Sequence, residues 1–227
     1  MQLTVPAQIQ PVVIETAQTA VVVVDMQNAF CKKGGMFDSI GMFDEARMAP
    51  VIETDRRVIA AARQRGLKIV YLQMGYRPDL SDAGGPDSPN YWKEGSLVGM
   101  RQHPEMKDRV LTVGSRDWQV IAELKPQPGD ILVNKSRYSG FACTALADRL
   151  NLAGLKYLLF IGVFTNVCVE STIRDAYFAE YFPVLIADAC TYCGPEYNQA
   201  ATLWNVANIF GWVTTSADLN TALSGLK

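Results

Sequence analysis

Five short apolar runs are the feature that most constrains the fold of this chain. Each run has the length of a β-strand, is rich in Val, Ile or Leu, and shows no alternation of apolar and polar residues. That pattern is typical of strands covered on both faces, as in a parallel sheet. The runs are TAVVVVD (19–25), KIVYLQM (68–74), DILVNK (130–135), YLLFIG (157–162) and PVLIAD (183–188), and GWVTT (211–215) is a shorter sixth candidate.

Patterns typical of amphipathic helices separate the apolar runs. Apolar residues recur at helical spacing over 49–66, 141–154, 167–181 and 196–211. This alternation predicts a doubly wound α/β fold, with a mostly parallel six-stranded sheet and helices on both faces, a Rossmann-like three-layer sandwich. No stretch has the composition of a linker, so we expect residues 1–227 to form a single domain.

The charge and the cysteine content argue against several classes of protein. A net charge of −2 offers no basic surface to nucleic acid. The apolar runs are too short to cross a bilayer, and the first residues lack the pattern of a signal peptide. Five cysteines at irregular spacing do not indicate a disulfide framework. We therefore expect a cytoplasmic protein with reduced thiols and with neither nucleic acid nor a membrane as a partner.

Three reactive side chains follow predicted strands and should meet at one edge of the sheet. Asp25 ends the first strand, Lys135 ends the third, and Cys168 lies in the loop after the fourth. Each residue also has an ordinary interpretation without a catalytic role: Asp25 as a capping carboxylate, Lys135 as a surface lysine and Cys168 as a buried core thiol. Together they form an acyl-transfer set, in which the thiol attacks, the carboxylate takes its proton and the ammonium stabilises both.

The position of Cys168 near a helix start strengthens its interpretation as a nucleophile. Thr165 or Asn166 can cap the helix, which would put Cys168 in the first turn. There the helix dipole favours a thiolate, and the unpaired N–H groups can hold an oxyanion.

Other reactive groups fit less well. His103 is the single histidine, so neither a Cys–His pair nor a zinc site is expected, and we predict no metal. The CTYC segment (190–193) has the spacing of a redox pair, but it does not lie where such motifs usually occur; a thiol redox protein using Cys190 and Cys193 remains a lesser alternative. Without a G-x-G-x-x-G or a P-loop, we expect no nucleotide cofactor.

Three segments resemble the isochorismatase-like cysteine hydrolases: VVVVDMQNAF, NKSRYSGF and GVFTNVCVESTIRDAYFAEYFPVLIADA. The resemblance extends from about residue 17 to about residue 217. It implies a parallel sheet flanked by helices and a catalytic triad of Asp25, Lys135 and Cys168. It also implies a cis peptide bond between Val163 and Phe164, which would turn the Phe164 amide toward that of Cys168 to form an oxyanion hole.

The resemblance also narrows the reaction. Nicotinamidases of this family hold a metal through histidines, which this chain lacks, and Cys168 argues for amide hydrolysis rather than vinyl-ether cleavage. AGGPDSPNYWK, PQPGDI and NVCVEST are similar to ureidoacrylate amidohydrolases, whereas GYRPDLSD (75–82) resembles biuret hydrolases. We predict cleavage of a terminal C–N bond in triuret or biuret, with release of ammonia through a thioester-type intermediate. Hydrolysis of ureidoacrylate is the alternative.

Six residues are candidates for binding this small urea-like substrate. Met74 stands where the ureidoacrylate amidohydrolases have an asparagine, so an amide group is lost there. The remaining candidates are Tyr76, Arg77 and Tyr138 for the outer carbonyls, and Phe30 and Phe37 for the pocket wall. Arg77 could instead be a surface charge, and the two phenylalanines could instead belong to the core.

Members of this family are usually oligomeric, so we expect a homo-oligomer and favour a tetramer. The C-terminal region carries more apolar surface than one helix and one strand require. Its members are Leu203, Trp204, Ile209, Phe210 and Trp212.

Overall fold

Eight strands form two sheets in the residues that the computed structural model of the protein describes, 1–107 and 109–225. The strands are β1 (Gln2–Val5), β2 (Val12–Glu15), β3 (Thr19–Val24), β4 (Lys68–Met74), β5 (Ile131–Lys135), β6 (Tyr157–Val163), β7 (Phe182–Thr191) and β8 (Trp212–Thr214). The first two pair as an antiparallel hairpin. The other six form one sheet in the order β5-β4-β3-β6-β7-β8.

Every neighbouring pair in the six-stranded sheet is parallel. The chain runs outward from β3 to β5, returns to β6 on the other side of β3, and then runs outward to β8. The fold is therefore doubly wound, as the alternation of apolar runs and helical patterns predicts, and its topological switch point lies between β3 and β6. Ligands of open α/β sheets bind at such a point, beyond the carboxyl ends of the strands.

Helices cover both faces of the sheet. The α-helices in the described residues are α1 (Asn28–Cys31), α2 (Met36–Ser39), α3 (Glu45–Gln64), α4 (Pro89–Lys93), α5 (Gly95–Gln102), α6 (Leu146–Leu152), α7 (Glu170–Phe178), α8 (Tyr197–Asn205) and α9 (Ser216–Ser224). Short 3-10 turns occupy Thr16–Gln18, Pro104–Met106 and Ala122–Leu124, and π-helical turns occupy Thr165–Val169 and Val206–Phe210. No helix in 1–107 or 109–225 is both long and apolar enough to span a membrane.

The central strand β3 explains why the apolar runs do not alternate. All six of its residues are buried. Val21 and Val23 pack with α3 and α9 on one face, whereas Val22 and Val24 pack with α6 and α7 on the other. A strand enclosed by helices on both sides needs apolar residues at every position.

The helix predicted over 141–154 is shorter than its pattern indicates. It begins only at Leu146, because polar side chains bind the backbone before it. The Ser139 hydroxyl accepts a bond from the Phe141 N–H, and the Thr144 hydroxyl accepts one from the Leu146 N–H, at 3.1 Å in both cases. These turns hold the loop that follows β5.

Two parts of the chain were not anticipated by the apolar pattern. The β1–β2 hairpin consists of two four-residue strands, too short for a periodic signal, and buries Val5 and Ile14 in the core. The long segment 75–123 is not a bare loop, because it contains α4, α5 and the 3-10 turn Pro104–Met106 and runs into the 3-10 turn Ala122–Leu124. Its short helices supply one wall of the site described below.

Replacing Gly162, at the end of β6, should lower the free energy of unfolding by about 2–4 kcal/mol. Its φ is 107°, and a Cβ there would lie 2.2 Å from the Val24 carbonyl oxygen on the adjacent strand. We expect Gly162→Ala to lower the midpoint of thermal unfolding by roughly 5–15 °C. Gly85→Ala is the matched control, since a Cβ at Gly85 meets no atom within 4 Å. Equal midpoints for the two variants would contradict this account.

Candidate active site

Asp25, Lys135 and Cys168 meet at the carboxyl edge of the sheet, at its switch point. Asp25 follows β3, Lys135 is the last residue of β5, and Cys168 lies in the π-helical turn after β6. The Lys135 ammonium donates to Asp25 Oδ2 at 2.7 Å, and both side chains are almost fully buried. The Cys168 side chain is also buried and lies close enough to interact with both charged groups.

A tight turn fixes the carboxylate of Asp25. The residue adopts a left-handed backbone conformation, with a φ of 51°, and its carbonyl accepts a bond from the Gln27 N–H. The buried Gln27 amide then binds both backbone groups of Met74 at 2.8 Å and the Trp118 carbonyl at 2.7 Å. Gln27 therefore ties the end of β3 to the end of β4. Gln27 lies in the VVVVDMQNAF segment that carries the family resemblance, two residues after Asp25, but no role was predicted for it.

The remaining contacts of Lys135 and Asp25 suggest which atoms are available for chemistry. The ammonium lies 3.3 Å from the Arg137 carbonyl and 3.6 Å from the Met74 sulfur. Asp25 Oδ1 is buried and has no hydrogen-bond partner among the described residues. This oxygen can accept a proton, whereas Oδ2 is held by the lysine.

The turn carrying Cys168 is held differently from the capped helix start that we expected. Neither Thr165 nor Asn166 caps the helix. Asn166 instead forms two hydrogen bonds with the backbone of Cys193, at 3.0 and 2.9 Å, and so joins this turn to the loop after β7. The Thr172 hydroxyl donates to the Cys168 carbonyl at 2.6 Å.

The peptide bond between Val163 and Phe164 is cis, as the family resemblance implies. Phe164 directly precedes the turn that carries Cys168. Its backbone N–H donates to no other group in the described residues. An oxyanion hole requires backbone amides that are free to donate to the substrate, and the role of Phe164 and Cys168 in one remains a prediction.

Burial and mutual charge set the protonation states of the three groups. Burial raises the pKa of Cys168 well above its usual value, and the negative charge of Asp25 raises it further. Burial also raises the pKa of Asp25, against the opposing effects of Lys135 and Cys168. Burial alone would lower the pKa of Lys135, but the negative charge of Asp25 and the adjacent Cys168 sulfur raise it overall. Both shifts favour a protonated Cys168 sulfur over the thiolate expected from the helix dipole, and they place it beside a carboxylate that can act as its base.

A cavity of about 530 Å³ opens above these groups. Four of the six candidate substrate-binding residues line it: Phe30, Phe37, Met74 and Tyr138. The Phe37 ring stacks on that of Phe164 with centroids 4.8 Å apart, and Phe30 meets both rings edge-on. Aromatic rings therefore wall the cavity beside the sulfur.

Tyr76 and Arg77 do not line the cavity. After β4 the chain turns to pair Tyr76 with Thr112, which carries it away from the site. The Tyr76 side chain is buried behind the wall, where its hydroxyl accepts a bond from the Asn90 amide at 3.2 Å. Arg77 is exposed, and its backbone N–H donates to Asp82. The interpretation of Arg77 as a surface charge therefore fits the structure better.

Glu94 is a buried carboxylate of the cavity wall that the sequence patterns did not reveal. It caps α5 by accepting bonds from the N–H groups of Ser96 and Leu97, at 3.2 and 2.9 Å, and from the Ser96 hydroxyl. Burial and the Glu94 charge raise the pKa of Tyr138 to about 12. The signal for this cap was Glu-Gly-Ser before a short apolar stretch.

The two cysteines of the CTYC segment do not form a pair. Both are free, and they belong to different sides of the sheet. Cys190 packs into the core between the sheet and helices α6 and α7. Cys193 packs against the core on the other face of the sheet and lines the cavity. The structure therefore gives no support to the redox alternative.

His103 contributes no metal site or catalytic pair in the described residues. It lies at the exposed end of the cavity lining, 3.4 Å from Glu105. Within 1–107 and 109–225, no three His, Cys, Asp or Glu side chains are grouped so that they could hold a metal ion.

Comparison with known proteins adds to this geometry. Residues 19–218 match the model of the isochorismatase domain. The ureidoacrylate amidohydrolase RutB of Caulobacter segnis is 46% identical over 213 residues, which cover 94% of this chain and 89% of that protein. RutB of Rhizobium rhizogenes is also 46% identical, over 98% of this chain and 90% of its own.

Solved structures agree with the fold. A cysteine hydrolase from Pseudomonas syringae pv. phaseolicola superposes with a TM-score of 0.77 at 29% identity, covering 93% of this chain and 94% of that one. N-carbamoylsarcosine amidase from Thermoplasma acidophilum superposes with a TM-score of 0.67 at 25% identity, covering 88% and 96%.

Removing the Lys135 ammonium should destabilise the protein in a pH-dependent way. Lys135→Met leaves the Asp25 carboxylate buried without its cation, which typically costs about 3–5 kcal/mol. Because the raised pKa of Asp25 would rise further, the folded state would bind its proton more tightly than the unfolded state. Urea unfolding should therefore show a larger loss of stability at pH 8 than at pH 5.

The exposed Lys125 provides the control for this prediction, since Lys125→Met should change stability little at either pH. Adding Asp25→Asn to Lys135→Met should restore part of the loss at pH 8. A loss independent of pH would show that the buried carboxylate is not its cause.

Proposed function

The chain belongs to the isochorismatase domain family as a cysteine amidohydrolase, a hydrolase of amide C–N bonds, and from this premise we propose that it hydrolyses carbamoyl compounds of the ureidoacrylate type. The observation that carries the proposal is that Asp25 and Cys168 line one cavity while Lys135 forms a buried ion pair with Asp25. The names of the two RutB relatives and of the carbamoylsarcosine amidase support a carbamoyl group as the reacting end.

Ureidoacrylate is better supported as the reference substrate than triuret or biuret. Tyr76 and Arg77, which lie in the segment resembling biuret hydrolases, do not line the cavity. The curated relatives at 44–46% identity carry the name ureidoacrylate amidohydrolase over nearly the whole chain. The preference for triuret and biuret drawn from the sequence is therefore set aside.

In the proposed mechanism, Asp25 acts first as a base. Its free Oδ1 takes the proton of the Cys168 thiol as the sulfur attacks the carbonyl carbon of the carbamoyl group. Burial raises the pKa of both Asp25 and Cys168, so the proton passes between two groups whose pKa values are shifted in the same direction. Lys135 keeps its positive charge beside them. The backbone N–H groups of Phe164 and Cys168 hold the resulting oxyanion, where one such donor is typically worth about 2.7–4 kcal/mol.

The protonated Asp25 then acts as an acid. It gives its proton to the terminal nitrogen, the C–N bond breaks, and ammonia leaves a thioester on Cys168. Asp25 next removes a proton from water, which attacks the thioester; the S–C bond breaks and the sulfur regains its proton. The balance is R–NH–CO–NH₂ + H₂O → R–NH–COOH + NH₃.

Cys168→Ala should abolish ammonia release from ureidoacrylate while leaving the fold intact. The nucleophile is lost, whereas a small buried side chain replaces another, so we expect at least a 10⁴-fold lower kcat and an unchanged circular dichroism spectrum. Cys143→Ala removes an exposed sulfur far from the described cavity lining and should retain full activity. Activity that survives in Cys168→Ala would rule out this mechanism.

A substrate panel should separate the two candidate urea-type substrates. We expect kcat/KM for ureidoacrylate to exceed that for biuret and for triuret by at least tenfold, measured as ammonia released by the purified protein. The reverse order would restore the interpretation based on GYRPDLSD.

A further inference from the structure

The cavity is larger than a carbamoyl group requires. Its volume of about 530 Å³ falls in the range of roughly 300–1,000 Å³ that is usual for pockets enclosing drug-sized ligands. A carbamoyl group has only four heavy atoms, and it occupies the floor beside Cys168 in the proposed mechanism. Most of the cavity is therefore left for the group attached to the far nitrogen.

Apolar side chains from two segments line this remaining space, which we call the apolar chamber. The segment 36–42 and the segment 98–106 supply Met36, Ile40, Met42, Val98, Met100 and Met106. Four of the six are methionines, whose flexible, polarisable thioethers adapt to apolar groups of different shape. Although Ser96 and Gln102 also line the cavity, these two segments offer the distal end of a substrate mainly hydrocarbon and thioether surface.

Charge in the cavity wall does not favour a second anion deep inside. Glu94 is buried in the wall and carries a negative charge that already acts on Tyr138. Its oxygens accept hydrogen bonds from the first turn of α5. Among the described lining residues the basic side chains are Lys93 and His103, and both are exposed.

These observations distinguish the two ends of the substrate. A carboxylate such as that of ureidoacrylate would lose its hydration in the apolar chamber without gaining a buried partner, so its place is at the exposed mouth of the cavity, where Lys93 lies. An alkyl or aryl group placed there would gain the free energy of leaving water. Of the charged groups deeper in the site, Lys135 is committed to Asp25 at 2.7 Å.

We propose that the apolar chamber binds an apolar substituent on the far nitrogen, so that N-alkyl and N-aryl ureas are substrates of this protein. The inference rests on the proposed function, because the reacting end remains the carbamoyl group. The atoms balance as before: Cys168 Sγ bonds to the carbonyl carbon, the C–NH₂ bond breaks, and ammonia leaves with the proton from Asp25. Water then breaks the S–C bond to give the N-substituted carbamate.

A homologous series tests the chamber directly. Ammonia release would be measured with N-ethyl-, N-butyl-, N-hexyl- and N-benzylurea, with ureidoacrylate as the reference. We expect kcat/KM to rise about fourfold for each added methylene until the chamber is filled, the factor that corresponds to ~0.8 kcal/mol per buried CH₂. Binding of the same series to Cys168→Ala, measured by calorimetry, should show the same trend in Kd without catalysis.

Variants of the chamber should change the dependence on chain length. Met100 is buried in the lining, and Met100→Gln keeps its length while adding an amide, so the rise per methylene should fall to less than twofold. Met48→Gln places the same change in the core outside the described lining and should leave the rise unaltered. If Met100→Gln does not fold, Ile40→Asn changes a lining residue that is 55% exposed and should also flatten the series.

The outcomes separate this inference from the proposed function. Hydrolysis of ureidoacrylate with a flat alkylurea series and flat Kd values would overturn the inference alone. The inference would also be overturned if Lys93→Ala raised the KM for ureidoacrylate at least tenfold while the wild-type protein did not hydrolyse the alkylureas. No ammonia from ureidoacrylate or any urea, with Kd values that still fall along the series, would overturn the proposed function and leave the chamber in place.

Discussion

The site is built around one buried ion pair, Lys135 with Asp25. Two charges removed from water cost several kcal/mol each unless further contacts satisfy them. The parallel sheet makes this possible, because β3 and β5 flank β4 and both end at the same edge. Gln27 locks the ends of β3 and β4 together, and the Arg137 carbonyl and the Met74 sulfur complete the surroundings of the ammonium. The sheet, its switch point and the chemistry are thus parts of one arrangement.

Burial also decides how the sulfur is used. A helix dipole supplies about 0.3–1 kcal/mol to a nearby anion, more when partly buried. At Cys168, desolvation and the adjacent carboxylate act in the opposite direction and raise the pKa of the thiol. A sulfur that stays protonated until substrate is present needs a base in contact with it, and Asp25 supplies an oxygen with no other described partner.

The parts that could be predicted from the sequence are those set by the sheet. Unbroken apolar runs mark strands enclosed on both faces, and parallel strands bring their carboxyl ends together, so Asp25, Lys135 and Cys168 could be placed in one site. The features that depend on long-range contacts between irregular segments could not be predicted in this way. Tyr76 and Arg77 leave the cavity because the chain pairs with Thr112, and the loop before α6 is held by the Ser139 and Thr144 hydroxyls. The position of Glu94 in the cavity wall depends on a capping interaction with α5, which apolar periodicity does not indicate.

The left-handed backbone of Asp25 restricts which acids evolution or design could place at this position. Aspartate and asparagine visit positive φ more readily than longer side chains, because their short polar groups bond locally. Glutamate would keep the charge but meet a backbone penalty at a φ of 51°. A protein that loses acid–base chemistry at this position can thus carry asparagine and keep the turn. A longer acid would require a different backbone conformation at the end of β3.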